Sequence, residues 1–257
     1  MIGLSNNILS IHDLTFSFQH GRGKTAIFNK LSMHVNTGEF VSIIGASGSG
    51  KSTLFRLIAG LLEQNSGDIQ LNGERIVNRL GTVGYMPQKD LLLPWKTVLE
   101  NVLLPLEISK VPKQKKMSEI KEWLSRFGLT SYEHAYPHEL SGGMRQRVAF
   151  LRTIIAGREL ILLDEPFGAL DALTKRNMHK WLLELWGELQ KTVLFITHDL
   201  EEAILLSDRI YLLPSGESQK IQEVHVDLPR PRRSEIVYQQ EFIELRKNLE
   251  CLIHDKT

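Results

Sequence analysis

One eight-residue segment constrains the possible folds of this chain more than any other feature. A nearly continuous apolar run at residues 40–44 precedes it and is typical of a buried central strand. Residues 51–62, where apolar side chains recur at helical spacing, follow it. The segment consists of Gly45, Ala46, Ser47, Gly48, Ser49, Gly50, Lys51 and Ser52. This glycine-rich run between a strand and a helix matches the pattern G-x-x-x-x-G-K-[ST] and predicts a phosphate-binding loop.

Each position of this loop has a physical reason. Glycines allow backbone conformations that turn successive amide N–H groups inward, which creates a nest for an anion. The helix that begins near Lys51 adds the positive end of its dipole. The Lys51 ammonium can reach the outer phosphates of a nucleoside triphosphate, and the Ser52 hydroxyl can hold Mg²⁺. We assign Thr53, the next residue, to the same site, for which ATP and Mg²⁺ are the expected ligands.

Further apolar segments predict a parallel sheet around the loop. Residues 160–163 and 192–197 have the composition of buried strands, and helical stretches separate them along the chain. Upstream, residues 8–38 alternate apolar and polar side chains, which predicts short strands joined by turns, one of them at residues 21–24. We therefore expect an α/β fold with a mostly parallel core sheet, an antiparallel N-terminal sheet and an inserted helical subdomain.

A single domain with two internal parts accommodates these segments. An amphipathic helix is expected in the tail around residues 242–249, after a segment of prolines and arginines. The expected division is residues 1–89 and 158–227 for the nucleotide-binding core, residues 90–157 for the helical subdomain, and residues 228–257 for a C-terminal tail.

An acidic pair and a histidine follow the two downstream strands. Asp164 and Glu165 come at the carboxyl end of residues 160–163, where ligands bind in open parallel sheets. The first carboxylate would hold Mg²⁺, directly or through water, and the second could polarise the attacking water. His198 follows residues 192–197 and could contact the γ-phosphate or that water. These positions predict Glu165 and His198 as catalytic residues and Asp164 as a magnesium ligand.

A second pair of glycines opens another helix. Ser141 is a favourable N-cap, and Gly142 and Gly143 leave amide N–H groups exposed at the positive end of the helix that follows. One ATP has one γ-phosphate, and the loop at residues 45–52 already surrounds it on one side. The second site therefore indicates a head-to-tail dimer, in which Leu140 and the three residues after it contact ATP held by the partner subunit.

Charge and cysteine content exclude several classes of protein. The formal net charge is +1, from 31 lysines and arginines against 30 acidic residues spread along the chain. No basic face is indicated, so we expect no nucleic acid as a partner. The basic residues 111–116 are expected to form a flexible, solvated loop. A single cysteine, Cys251, excludes an internal disulfide and fits a reducing compartment.

Neither a leader nor a membrane span is expected. The first ten residues lack the basic flank and long apolar stretch of a signal peptide. No apolar run approaches the roughly 18–20 residues that are needed to cross a bilayer. If the protein serves a membrane, another chain must do the spanning.

These motifs together resemble those of the ATP-binding-cassette ATPases over nearly the whole chain. The resemblance implies an ATP-hydrolysing subunit of a transporter that works as a dimer. The motifs follow the family's order, which is the phosphate loop, Gln88, the signature at residues 140–147, the Asp164-Glu165 pair, residues 168–171 and His198.

The resemblance also assigns roles that the residues alone do not give. It implies that Gln88 touches Mg²⁺ and senses the nucleotide, and that Asp171 helps to link the two sites of the dimer. It further implies an aromatic ring stacked on the adenine near the first strand. Phe18 is the best match for this ring. Phe16 lies on the same strand face, and core packing is the alternative role for an aromatic residue there.

A finer resemblance points to the importers of nitrate, sulfonates, taurine and thiamine precursors. It rests on residues 91–98, 100–102, 167–174 and the Leu-Pro-Arg-Pro-Arg run at residues 228–232. In these importers the segment after the Gln88 position docks the coupling helix of the permease. The residues implied in this contact are Leu92, Leu93, Pro94 and Trp95. Local core packing of the two leucines and the tryptophan is the alternative, and an exposed apolar patch would favour docking.

The resemblance implies a peripheral subunit at the cytoplasmic face of the cell membrane. Its direct partners would be permease subunits and a second copy of itself, with a solute-binding protein as an indirect partner. An exporter subunit or a non-transport ATPase of the superfamily is the alternative. Chromosome-maintenance relatives carry long coiled-coil insertions, translation factors join two cassettes, and P-loop kinases lack the signature. The transported solute cannot be read from this chain, because the cassette does not touch it.

Overall fold

A long antiparallel hairpin forms the start of the protein in the computed structural model. The residues described by this structure are 7–21, 23–168, 170–214 and 220–254. Strands β1 (Asn7–His20) and β2 (Gly23–Asn36) have 14 residues each, and their register shifts at several points. Short strands are therefore the wrong description of residues 8–38, although a turn does separate the two long strands near the expected residues 21–24. Bulges interrupt the alternation of side chains there, while the two strands continue through them.

This hairpin belongs to a four-stranded sheet of its own. β1 also pairs antiparallel with β4 (Ser66–Leu71), and β4 pairs antiparallel with β5 (Glu74–Arg75). The strand order is β2-β1-β4-β5. The antiparallel N-terminal sheet predicted from the sequence is confirmed.

A second, six-stranded sheet carries the phosphate loop. Its strand order is β10-β9-β3-β8-β7-β6, in which every neighbouring pair is parallel except β9 and β10. The mostly parallel core sheet of the predicted α/β fold is therefore confirmed. The strands are β3 (Phe40–Ile44), β6 (Gly84–Met86), β7 (Leu160–Asp164), β8 (Thr192–Ile196), β9 (Arg209–Leu212) and β10 (Gln222–His225).

Hydrophobic clusters cover both faces of this sheet. All residues of β3, β7 and β8 are buried, as expected for parallel strands with both faces covered. In β7, Leu160 and Leu162 face the cluster shared with the antiparallel sheet and α1. Ile161 and Leu163 face the cluster shared with the helices on the other side. Because β3, β8 and β7 run parallel in one sheet, the carboxyl end of β7 lies at the edge where the loop after β3 also emerges.

Within the described ranges, seven α-helices surround the two sheets. The first of them is shorter than the predicted stretch of residues 51–62, because the chain turns at Gly60, whose φ is 76°. The helices are α1 (Lys51–Ile58), α2 (Val98–Ile108), α3 (Lys113–Arg126), α4 (Gly142–Ile155), α5 (Ala172–Leu189), α6 (Leu200–Leu206) and α7 (Gln240–His254).

Three of these helices, α2, α3 and α4, lie between β6 and β7. They pack around a core that also includes Phe40 of β3 and Phe195 of β8, so the helical part shares its core with the parallel sheet. A flexible loop at residues 111–116 is wrong for most of that segment, since α3 begins at Lys113. Polar, charged side chains do not prevent a helix when one of its faces packs against a core.

The C-terminal helix α7 packs against α6 and the adjoining edge of the parallel sheet. Phe242 and Leu249 are buried there among residues of α6, β9 and β10. Helix α7 extends on both sides of the amphipathic stretch expected in the tail. In the part of the chain that the structure describes, no helix has both the length and the apolar character required to cross a membrane.

Candidate nucleotide site

The phosphate loop connects β3 to α1, and its glycines adopt backbone conformations that favour glycine. Gly48 and Gly50 have φ angles of 83° and 93°, in the left-handed region. A Cβ atom on Gly50 would lie 2.5 Å from Cγ2 of Ile27. The loop therefore requires glycine at position 50 for two independent reasons, its backbone angle and the closeness of β2.

Lys51, the first residue of α1, is buried beneath the loop. Its ammonium Nζ donates hydrogen bonds to the carbonyl oxygens of Gly45, at 2.9 Å, and Ala46, at 3.0 Å. Burial lowers the pKa of Lys51, although Glu165 and Asp164 act in the opposite direction. The loop thus holds a lysine whose charge is only partly compensated and which lies close to the two carboxylates.

Asp164 closes the site from the end of β7. Its carboxylate is buried, and Oδ1 accepts a hydrogen bond of 3.0 Å from the hydroxyl of Ser52. Burial raises the pKa of Asp164, and nearby Glu165 raises it further, while the Ser52 hydrogen bond lowers it without reversing the effect. A buried carboxylate in this condition is stabilised when a cation binds beside it.

The Glu165 carboxylate lies close to the side chains of Gln88 and His198. Gln88 Nε2 donates a hydrogen bond of 3.0 Å to Glu165 Oε2, and His198 Nδ1 is 3.7 Å from the same oxygen. Glu165 has a φ of 46°, an unfavourable value for a non-glycine residue, and its N–H donates to the Ile196 carbonyl. Strained backbone at the end of a strand is frequent in functional sites.

A single cavity of about 670 Å³ brings most of the predicted residues together. Phe18 lies at its wall, whereas Phe16 is buried and meets the Phe18 ring edge-on at 4.9 Å between ring centroids. Of the two aromatic candidates, Phe18 is thus the one that faces the cavity. The lining residues are Phe18, Ile27, Gly45, Ser47, Gly48, Gly50, Lys51, Ser52, Thr53, Gln88, Glu165 and His198.

The signature residues lie elsewhere on the surface. Ser141 caps α4 by accepting a hydrogen bond of 3.3 Å from Met144 N–H, as its position predicted. Leu140 is buried, Gly143 is half-buried, and Ser141 and Gly142 are exposed. None of these four described residues lines the cavity. Within one chain, the structure therefore does not bring the signature to the phosphate loop.

The remaining residue predicted to contact the partner subunit, Asp171, lies directly before α5. Its Oδ1 accepts hydrogen bonds from the N–H groups of Leu173, at 3.1 Å, and Thr174, at 3.0 Å. These bonds make it the N-cap of that helix. A hydrogen bond from the Thr174 side chain, together with these N–H groups, keeps the pKa of Asp171 below its usual range. Ala169, which belongs to the same motif, lies outside the described residues.

The segment after Gln88 divides between the core and the surface. Leu92 is buried in the core of the helical part, so core packing, not exposure, is correct for this residue. Leu93 is half-buried, and Pro94 is exposed. Trp95 is 70% exposed and Leu91, which the sequence did not single out, is 59% exposed. An exposed apolar pair is therefore present, but its members are Leu91 and Trp95.

Two residues of this neighbourhood were not predicted. Ile27 reaches the cavity from β2, and its apolar side chain resembles many others in a half-buried strand, so no sequence signal marks it. Leu91 points outward because its backbone has a φ of 44°, which no pattern in the run of leucines reveals. Their roles follow from the backbone path and not from residue type.

Comparison with known proteins agrees with this arrangement. The family model described as "ABC transporter" matches residues 28–168. The formylaminopyrimidine import ATP-binding protein ThiZ of Halalkalibacterium halodurans is 42% identical, over 97% of this chain and 98% of that protein. The nitrate import ATP-binding protein NrtD of Synechocystis sp. is 39% identical, over 96% of each chain.

A solved structure gives the same family. An ATP-binding cassette determined as a dimer in a post-hydrolysis state, with bound ADP and Pi, superposes with a TM-score of 0.75 and 29% identity. It matches 86% of this chain and the whole of that chain. The family match spans more than half of the chain, and both relatives align over nearly all of it. This chain therefore belongs to the ABC transporter family.

Proposed function

We propose that this chain is the ATP-binding and ATP-hydrolysing subunit of an ABC importer, which energises solute uptake through a separate permease. The observation that carries the proposal is the single cavity that joins the phosphate loop to Glu165, Gln88 and His198. The import ATP-binding proteins to which the chain is similar favour an importer over an exporter or a non-transport ATPase.

The cavity suits ATP from one end to the other. Phe18 offers a ring face for the adenine, and stacking on an aromatic side chain requires no specific hydrogen bond. The loop and the start of α1 offer amide N–H groups and Lys51 for the phosphates. The buried Ser49 hydroxyl has no hydrogen-bond partner among the described residues, which fits a loop arranged to receive a ligand.

The residues present also fit Mg²⁺. The Ser52 hydroxyl and Asp164 carboxylate already meet at 3.0 Å, and Gln88 lines the same cavity as Ser52. Among the described residues, no cluster of three or more His, Cys, Asp or Glu side chains could hold a metal ion unaided. This agrees with Mg²⁺, which proteins usually hold through one or two carboxylates together with substrate phosphates. When bound, Mg²⁺ would neutralise charge that develops on those phosphates.

Glu165 is the proposed general base. Its carboxylate lies at the carboxyl end of β7, beside the loop, where it can polarise a water aimed at the γ-phosphate. Gln88 holds one of its oxygens at 3.0 Å, and His198, whose side chain is 63% exposed, lies within reach of the same oxygen. His198 is then placed to contact the γ-phosphate or the water, and it is the alternative base.

The signature residues point to a dimer with shared sites. Ser141 and Gly142 are exposed and lie outside the cavity of their own chain, so they suit ATP bound to a second copy. The solved cassette with ADP and Pi is itself a dimer. We propose a head-to-tail homodimer in which residues 140–143 and Asp171 complete the partner's site.

The remaining partners follow from the importer assignment. We propose that the apolar surface of Leu91 and Trp95, together with Leu93 and Pro94, receives the permease. The chain would then act at the cytoplasmic face of the membrane as a peripheral subunit, and a solute-binding protein would be an indirect partner. Nitrate, sulfonates, taurine and thiamine precursors are the candidate solutes. If a gene for a solute-binding protein lies beside this one, binding assays with its product would identify which one applies.

Glu165→Gln tests the proposed chemistry. The substitution keeps the shape of the side chain but removes the base, so steady-state ATP turnover should fall by about 10²–10⁴-fold. ATP binding should persist, because the loop around Lys51 is unchanged. The variant should also accumulate as an ATP-bound dimer in size-exclusion chromatography with ATP and Mg²⁺.

Two other outcomes are informative. Normal hydrolysis by the Gln variant would eliminate Glu165 as the base and leave His198 as the candidate. Absence of ATP binding and hydrolysis in the folded wild-type protein, with its permease present, would overturn the proposed function.

A further inference from the structure

A buried polar cluster joins α5 to the turn between β8 and α6, outside the nucleotide cavity. At its centre is the Glu202 carboxylate, which is only 4% exposed. Its Oε1 lies 2.7 Å from Lys175 Nζ and 2.9 Å from His179 Nε2. Its Oε2 accepts a hydrogen bond from the Thr197 hydroxyl. Because an ionised carboxylate only accepts hydrogen bonds, all three partners donate to it.

The cluster includes both chain neighbours of His198, namely Thr197 and Asp199. Asp199 Oδ2 accepts a hydrogen bond of 2.8 Å from Lys175 Nζ, and its Oδ1 caps α6 by accepting from the N–H groups of Glu201 and Glu202. The backbone N–H of Asp199 donates to the Thr197 hydroxyl at 3.0 Å. Both neighbours of His198 are therefore fixed, although the His198 side chain itself is exposed.

The cluster also contacts the segment that follows Glu165 and the helix that follows Asp171. His179 packs its ring against Phe167, at 5.4 Å between centroids, and Phe167 follows Glu165 by two residues. Lys175 and His179 both lie on α5, the helix that begins directly after Asp171. One buried carboxylate thus contacts, directly or through one neighbour, the segments that carry the base, the histidine and the inter-subunit aspartate.

The hydrogen bonds in this cluster favour the charged forms of Glu202 and Lys175. Burial alone raises the pKa of Glu202, but the hydrogen bonds from His179, Lys175 and Thr197 more than offset it, so the pKa is below its ordinary value. Burial alone would lower the pKa of Lys175, but its bonds to Asp199 and Glu202 outweigh this effect, so the pKa is above its ordinary value. Neutralising one member leaves the others buried without compensation, which displaces them from this geometry.

We infer that Glu202 is a positioning residue that holds the turn bearing His198 in register with α5 and with the segment of Glu165. This inference rests on the proposed ATPase function. Glu202 lines no part of the cavity and is not itself a catalytic residue; it acts through the backbone on both sides of His198. Positioning of this kind is costly to lose, since a displacement of about 1 Å at a catalytic group can reduce the rate about 100-fold.

Glu202→Gln tests this role in the full chain, with Glu201→Gln as the matched control. Glu201 is the adjacent helix residue, but its side chain is half exposed and pairs only with Arg246 in the described residues. For Glu202→Gln we expect kcat to fall about 10- to 100-fold with the KM for ATP changed less than about twofold, because the loop and Phe18 are untouched. The control should keep both constants. Equal kcat in the two variants, or a parallel loss of kcat and ATP affinity, would overturn the inference.

A double-mutant cycle separates positioning from general stability. If Glu202 acts through His198, Glu202→Gln should have almost no further effect in a His198→Ala background, measured in single turnovers. Fully additive losses would contradict the inference. Lys175→Gln, with the exposed neighbour Arg176→Gln as its control, repeats the test at a half-buried position in case Glu202→Gln does not fold.

The two proposals fail in distinguishable ways. Wild-type protein that neither binds nor hydrolyses ATP contradicts the proposed function. Wild-type protein that hydrolyses ATP, together with a Glu202→Gln variant of normal kcat, contradicts only the positioning role.

Discussion

Two helices of this protein begin at glycines with free amide groups, and they differ in what surrounds them. Helix α1 begins inside a cavity, where Lys51 is buried and Asp164 lies against the next residue. Helix α4 begins on the surface, where Ser141 and Gly142 are exposed. The first helix start has a pocket, a lysine and carboxylates from its own chain, while the second has amide groups and a cap beside Arg145, which pairs with Asp90.

The glycines at the two beginnings also answer to different constraints. Gly50 has a left-handed backbone, and a Cβ atom there would collide with Ile27. Gly142 has no such restriction, since a Cβ atom would meet only Nη2 of Arg145, at 3.9 Å. The fold of a single chain therefore explains the glycine of α1 but not that of α4. A group that approaches from outside the chain would explain it, as in the shared site that we propose.

Gly142→Asp should produce the largest effect that distinguishes the two helices. A Cβ atom at position 142 meets no clash in the monomer. In the proposed dimer, however, the new carboxylate would lie where phosphate of the partner's ATP approaches, and like charges repel strongly in a water-poor site. ATP hydrolysis should fall at least about 100-fold, as when a donor to a transition-state anion is lost. ATP binding to the monomer should be unchanged in a fluorescent-nucleotide titration.

Gly142→Asn is the control for this prediction, because asparagine has the same size as aspartate without the charge, and this variant should retain more activity than Gly142→Asp.

Mixing Gly142→Asp with Lys51→Ala subunits sharpens the test. One composite site then carries both defects and the other carries none, so some activity should return. A mixture that stays inactive despite proven heterodimers shows that both sites must work, or that the signature acts within its own chain. Cysteines at positions 47 and 141 decide between these, since a crosslink between chains that requires ATP supports sharing.

Lys51→Ala should produce the next largest effect, and it acts on α1 alone. A hydrogen bond between charged partners contributes about 1.5–3 kcal/mol. ATP affinity of the monomer should therefore fall by roughly 10- to 150-fold, in contrast to the unchanged affinity of Gly142→Asp. Equilibrium titration with a fluorescent ATP analogue measures it. Lys180→Ala, at an exposed lysine on α5, serves as the control; affinity equal to that of this control would disprove the role of the loop.

The contrast between the helices also shows what the sequence can predict. The site around α1 was predictable because eight contiguous residues specify a strand, a turn and a helix start. The carboxylates and His198 were predictable because parallel strands end at one edge of the sheet. The orientation of Leu91 and Leu92 was not predictable, because consecutive leucines have no periodicity that shows which one faces the core. Only the backbone turn at Leu91 settles it.

The cluster around Glu202 was missed for a related reason. The Asp199-x-x-Glu202 spacing resembles a capping box, which would return the glutamate side chain to the N–H of residue 199. In the structure the Thr197 hydroxyl accepts from that N–H instead, at 3.0 Å. Glu202 is thereby released towards α5, where Lys175 and His179 meet it. Contacts between elements far apart in sequence decided the outcome, and local spacing could not reveal them.

Asp164→Asn should produce the smallest effect, a gain in stability that only the α1 site can give. The folded protein raises the pKa of Asp164 above its ordinary value, first by burial and then through Glu165. A raised pKa means that the folded state favours the protonated acid. Its stabilising contribution is fully present below the unfolded pKa and is lost as the pH rises through the folded pKa. At neutral pH the charged carboxylate is therefore a cost, which asparagine avoids while keeping the Ser52 contact.

The Asn variant should accordingly melt at a higher temperature than the wild type at pH 7 without Mg²⁺ and ATP, by about 2–4 °C per kcal/mol for a chain of this size. The gain should shrink as the pH falls through the raised pKa of Asp164 in the folded protein, and it should be gone below the ordinary pKa of aspartate, because the wild-type side chain is then neutral in both states. Mg²⁺ with ATP should reverse the order, since ligand binding stabilises only the protein that can hold the ion. Scanning calorimetry across this pH range measures all three trends. A variant that melts lower than the wild type at pH 7 without ligands would show that the Asp164 carboxylate stabilises the fold, and that its charge is not held ready for a cation.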